Sequence, residues 1–103
     1  MSKVFILYEN TRHDFRDIKY ILPNSQQVFI YKKDDLEGLT IEKCLTKLTE
    51  VLDKADVDND YIVLNGPSYL PACAGFVWFT QARSKNNILC YCPAIKSYRK
   101  VQD

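Results

Sequence analysis

Four short apolar runs set the limits on what this chain can fold into. They are "KVFILY" at 3–8, "QQVFIYKK" at 26–33, "DYIVLNG" at 60–66 and "NNILCYCP" at 86–93. The first and third are uninterrupted and hold β-branched and aromatic residues, which suits strands buried on both faces. The segments between the runs carry helical spacing. Strands alternating with helices imply parallel pairing through right-handed crossovers. The chain is therefore predicted to be α/β: a small Rossmann-like three-layer sandwich around a mainly parallel four-stranded sheet of order 2-1-3-4. Its 103 residues form one domain, 1–103, long enough to bury a core without a disulfide or metal staple.

Three helices are expected between the strands. In the first, Asn10, Thr11 or Asp14 provides a cap, Phe15, Ile18 and Leu22 fall at helical spacing, and Pro23 with Asn24 ends it. In the second, Thr40 caps a stripe of Ile41, Cys44, Leu45, Leu48, Leu52 and Ala55, predicting a helix over roughly 41–55. The third lies within "PSYLPACAGFVWFTQARSK". Pro71 fits a first helical turn, where its missing N–H costs nothing. Gly75, Phe76, Trp78 and Phe79 weaken the helical pattern, and a strand over "GFVWFT" is the alternative. The last segment, "AIKSYRKVQD", alternates weakly, as an edge strand or a frayed end would.

Composition removes several function classes. A net charge of +1 argues against a generic DNA or RNA binder held by counterion release. No stretch approaches the roughly 18 uninterrupted apolar residues of a membrane span. The segment "MSKVFILYENTRHD" lacks the long apolar core and cleavage site of a signal peptide, so a cytoplasmic location is expected. Cys44, Cys73, Cys90 and Cys92 sit among apolar neighbours without a C-x-x-C pair, and are read as reduced thiols rather than zinc ligands. The aspartates of "DKADVDND" lack the glycine and distal glutamate of a calcium loop and are read as a solvated helix end. No metal and no cofactor is expected.

In an open parallel sheet, ligands bind at the carboxyl ends of the strands, where successive connections run to opposite sides. For the order 2-1-3-4 that crevice lies between strands 1 and 3. Two loops meet there, "YENTRH" and "NGPSYLP". Tyr8, Glu9, Asn10 and Thr11 from the first and Asn65, Gly66, Pro67, Ser68 and Tyr69 from the second are the candidate ligand-binding residues. Gly66 allows a positive φ and close backbone approach. Pro67 pre-sets the turn. Ser68 can cap the next helix or reach a ligand, and the N–H groups there favour an anion. Asn-Gly-Pro-Ser is also ordinary turn chemistry, and only its place at the switch point makes it a site candidate. Ser68, Arg12 and His13 are the candidate catalytic residues. His13 is the one histidine, and its place beside Arg12 and Asp14 fits a solvated helix start at least as well as a general base.

The layout "KVFILYEN … DYIVLNGPSYLPACAG … NNILCYCP" resembles the CRISPR-associated Rossmann-fold (CARF) domains and their small stand-alone ring-nuclease relatives, some carried by viruses. The resemblance is one of layout, with no diagnostic basic motif. It implies a homodimer that binds cyclic oligonucleotides through the loops after strand 1 and after a later central strand. On this chain those are Tyr8, Glu9 and Asn10, and Asn65 to Ser68. A nucleotide-type small molecule is thus the expected ligand, with the protein as sensor, sponge or metal-independent ring nuclease. The alternative is a non-enzymatic protein–protein interaction module using the aromatic segment 76–79. "ACAGFVWF" at 72–79 is apolar on nearly every side, so a homodimer burying it is expected, unless the carboxyl-terminal segment folds over it.

Overall fold

The computed structural model describes residues 2–10, 13–56, 58–82 and 87–101. Strands β1 (Lys3–Tyr8), β2 (Gln26–Tyr31), β3 (Tyr61–Val63), β4 (Ile88–Cys92) and β5 (Ser97–Lys100) form one sheet, with helices α1 (Ile41–Leu52) and α2 (Tyr69–Ala82). The sheet order is β2-β1-β3-β4-β5. The first four strands are parallel and contain the expected order. The fifth is an addition to the four strands predicted, and it pairs antiparallel at the β4 edge. The fold is α/β and Rossmann-like.

β1 explains why its run is uninterrupted. Phe5 and Leu7 enter the cluster beneath the two α-helices, while Val4 and Ile6 enter the cluster on the opposite face. Ile62 and Val63 divide in the same way. Each residue of such a strand loses its apolar surface to one layer or the other.

α1 begins at Thr40, whose side-chain oxygen accepts the Lys43 N–H at 3.1 Å. Cys44, Leu48 and Leu52 are its buried edge. It stops three residues short of the expected end at 55. A turn follows in which Ala55 N–H donates to the Leu52 carbonyl and Asp56 N–H to the Asp60 carboxylate.

α2 is a helix where a strand was the alternative. Leu70, Cys73, Ala74, Val77 and Trp78 are buried at i, i+3, i+4, i+7 and i+8. Trp78 is 1% exposed and lies 6.5 Å, ring to ring, from Phe5. Within 76–79 only Phe76 and Phe79 face outward, at 67% and 50% exposure.

The first expected helix is corrected. Only a 3-10 turn forms, over Arg16–Tyr20. Asp14 accepts the Arg16 backbone N–H and also pairs with its guanidinium at 2.9 Å, a local alternative to the helical ladder. The Phe15 carbonyl accepts from the Gln27 side-chain amide, so the acceptor that an α-helix would use for residue 19 is occupied. Phe15 and Ile18 are buried as expected, but the layer they make is thin. The sandwich is therefore asymmetric, with two α-helices on one face and a single 3-10 turn on the other.

The described part of the carboxyl-terminal segment, to residue 101, does not fold over α2. After a turn at 93–96, with Lys96 at φ 52°, it returns as β5 and buries Tyr98 on the thin face. All four cysteines are free thiols, Cys44 and Cys73 buried and Cys90 and Cys92 half-buried. No described helix is long and apolar enough to cross a membrane.

Trp78→Glu is expected to lose at least about 3 kcal/mol in urea denaturation, because it removes a core indole and buries a charge. Phe76→Glu should stay within about 0.5 kcal/mol of the parent protein, as an exposed helical position. Equal effects of the two substitutions would contradict this packing of α2.

Candidate functional site

β1 and β3 are paired in parallel through Val4–Tyr61, Phe5–Ile62 and Ile6–Val63. Two residues further on, Tyr8 still pairs with Tyr31 of β2, but β3 has turned away. The Asn65 side chain fills the break. Its Oδ1 accepts the Tyr8 N–H at 3.0 Å, and its Nδ2 donates to the Tyr8 carbonyl at 2.8 Å. One carboxamide thus satisfies both backbone groups that a continued strand would have paired. Gly66 follows at φ +97°, and a Cβ there would sit 2.9 Å from the Tyr8 Cβ and 3.1 Å from a Leu70 methyl. Glycine is required by both its φ and the close approach. The Ser68 carbonyl then accepts the Ala72 N–H at 3.2 Å, starting α2.

The parting of the strands opens a cleft of about 760 Å³ at the carboxyl ends of β1, β3 and β4. That volume lies in the roughly 300–1,000 Å³ range of small-molecule sites. Tyr8, Asn10, Asn65, Gly66 and Pro67 line it from the two switch-point loops. Val63 and Leu89, neighbours in the β3–β4 register, are buried lining residues. His13, Phe15, Tyr91 and Tyr98 complete an aromatic side on the thinly covered face.

Those four rings hold one another. His13 meets Phe15 at 4.7 Å, Tyr91 at 4.9 Å and Tyr98 at 5.6 Å between centroids, each near edge-to-face. A hydrogen bond joins the His13 Nε2 to the Tyr98 hydroxyl. Tyr91 and Tyr98 are direct cross-strand partners of the β4–β5 hairpin, with ring centroids 5.5 Å apart. Tyr98 is 3% exposed, while Tyr91 is 40% exposed at the cleft. Burial, and next the neighbouring Tyr91, push the Tyr98 phenol above its ordinary value. Among the described lining residues there is no Lys, Arg, Asp or Glu.

Of the expected site residues, Tyr8, Asn10, His13, Asn65, Gly66 and Pro67 converge on the cleft. Glu9, Ser68 and Tyr69 are not among the residues lining it. The Glu9 N–H donates to the Tyr31 carbonyl at 2.8 Å, Ser68 is exposed at the start of α2, and Tyr69 packs on the helical face. Thr11 and Arg12 lie outside the described residues. His13 is not a solvated helix start but part of the aromatic group. Among the described residues, no three His, Cys, Asp or Glu side chains group as metal ligands. Phe15, Tyr91 and Tyr98 are among the eight described lining residues that sequence reasoning missed. The signal was the hairpin: reading 93–96 as its turn would have placed Tyr91 opposite Tyr98.

No protein-family model, curated protein or solved structure matches the chain.

Asn65→Ala is expected to cost about 1–3 kcal/mol, because it orphans the Tyr8 N–H and carbonyl. Faster hydrogen exchange at the Tyr8 amide would check the cause. Gly66→Ala should cost more than about 1 kcal/mol through its φ and its clash with Tyr8.

Burial also raises the Tyr31 phenol, with Cys44 adding to it. For both Tyr31 and Tyr98 the folded state holds the proton more tightly than the unfolded state. Their contribution to stability is full below the ordinary value of 10.0 and is lost as pH rises above it. In a phenolate absorbance titration, two of the seven tyrosines should ionise only as the protein opens. Seven ordinary titrations without unfolding would contradict this.

Proposed function

We propose that the chain binds a nucleotide or cyclic (oligo)nucleotide in the cleft at the carboxyl ends of β1 and β3, as a sensor or sponge. What carries this reading is the convergence of Tyr8, Asn10, Asn65 and Gly66 on one cleft at the point where the strand connections diverge. The sequence resemblance to CARF-type domains supports the same ligand class. A cytoplasmic setting, expected from the sequence, goes with this reading.

Binding is favoured over turnover by the state of the candidate catalytic groups. The His13 Nε2 is engaged by Tyr98, and Ser68 does not line the cleft with it. A metal-independent ring nuclease would instead have the fold align a ribose 2′-hydroxyl in line with its phosphate, with Arg12 stabilising charge.

A second reading rests on Phe76 and Phe79, two exposed phenylalanines on α2. In it, the chain is a homodimer or interaction module that covers this face. The two readings use opposite faces of the sheet, so they can be tested apart. Phe76→Glu should turn a dimer into a monomer in sedimentation and leave ligand binding unchanged. A parent protein that is already monomeric at high concentration removes the dimer.

For the nucleotide reading, protein purified without added ligand is denatured and the released small molecules are analysed by mass spectrometry. A nucleotide in stoichiometric yield is expected. Release of none, together with no binding of added nucleotides by calorimetry, overturns the reading.

A further inference from the structure

We infer that the aromatic side of the cleft is a subsite for an uncharged planar heteroaromatic ring, and that any phosphate of the ligand stays outside it. For the nucleotide reading, on which the choice of ring rests, this makes the subsite a nucleobase pocket.

Three observations point the same way. The first is the wall itself. His13, Phe15, Tyr91 and Tyr98 come from three separate parts of the chain and are packed ring to ring at one end of the cleft. A core cluster of this kind normally excludes all its members from solvent, yet Tyr91 remains 40% exposed while lining the cleft. Its ring surface is available to a ligand, and it is held there by edge-to-face contacts with His13 and Tyr98. Aromatic side chains are platforms for bases because every base has a π-face.

The second observation is charge. The described lining residues include no Lys, Arg, Asp or Glu, and the His13 Nε2 is already bonded to Tyr98. A phosphate drawn into this end would lose water without meeting a Lys or Arg among the described lining residues, which is unfavourable. A neutral ring loses little and gains dispersion and stacking contacts.

The third is the floor. Val63 and Leu89 are 4% and 1% exposed and give the same end an apolar base. The Asn65 carboxamide spends its Oδ1 and an N–H on Tyr8, so it orders the pocket.

The test uses the full chain and a panel of probes: the four ribonucleosides, their 5′-monophosphates, ribose 5-phosphate and indole. Binding is measured by calorimetry and mapped by amide chemical shifts. At least one nucleoside should bind about as tightly as its monophosphate, within roughly threefold. That affinity should change little between low and high salt, since no phosphate is neutralised. Ribose 5-phosphate should not bind. Shifts should centre on Tyr91 and Tyr98. Tyr91→Ala should weaken binding by about tenfold or more, while Tyr91→Phe retains it. Because the mapping is done on the parent protein, an unstable Tyr91→Ala variant would not decide the matter.

Ribose 5-phosphate binding as tightly as a monophosphate, with nucleosides inert, overturns the ring subsite and leaves the nucleotide reading standing. Indole binding at Tyr91 with every nucleoside and nucleotide inert supports the ring subsite and overturns the nucleotide reading. No binding by any probe overturns both.

Discussion

β3 is three residues long, and it is the strand on which the order of the sheet turns. Three residues give few backbone bonds to hold it beside β1. Side chains at both of its ends supply the rest. At the amino end the buried Asp60 carboxylate accepts the Lys3 N–H and the Asp56 N–H, each at 2.8 Å. At the carboxyl end the Asn65 carboxamide closes on the Tyr8 N–H and carbonyl. β3 is thereby clamped along β1 while its own backbone leaves the ladder early. Early departure opens the cleft, and the clamp fixes its width. Buried hydrogen bonds of this kind have to be made in full, because an orphaned partner costs more than the bond is worth.

The two faces of the sheet have different tasks. Both crossover helices pack on one face, where Cys44, Leu48, Leu52, Leu70, Ala74 and Trp78 meet Phe5, Leu7 and Ile62. On the other face the described cover is Phe15 and Ile18 with half-buried Ile21 and Leu22 from a short turn, and Tyr98 from the last strand. The bonds at Asp14 and at the Phe15 carbonyl hold that segment as a short 3-10 turn.

This asymmetry decides what could be read from the sequence. The strands were legible because two-sided burial writes uninterrupted apolar runs. α1 was legible because one-sided burial writes a stripe. The 3-10 turn was not, since Phe15 and Ile18 satisfy a 3-10 and an α spacing alike, and the deciding acceptor is taken by Gln27 from another strand. The switch-point loops followed from topology, which placed Asn10 and Gly66 together. Topology does not say which way a side chain turns after the glycine, so Ser68 and Tyr69 were expected in a cleft that they do not line. The aromatic side was hidden because its key contact joins His13 to Tyr98 across 85 positions, through a strand whose own pattern is weak.

A cleft built on the thin face has a consequence for how the molecule tolerates change. Substitutions beneath α1 and α2 remove packing that nothing else replaces, so they act on the whole fold. On the other face Phe15 and Tyr98 are buried with Val4, Ile6, Ile18, Val63 and Leu89, while Tyr91 packs on Tyr98 and stands partly in solvent. Changing that ring alters the lining of the cleft without opening the clamp at Asn65 or the core behind it. The larger core cluster and the cleft are thus placed on opposite sides of one sheet. β1 joins them, because its alternate residues belong to the two clusters and its last residue, Tyr8, is both the object of the clamp and part of the cleft. A change that loosens Tyr8 is transmitted to both sides, whereas a change at Tyr91 is confined to one.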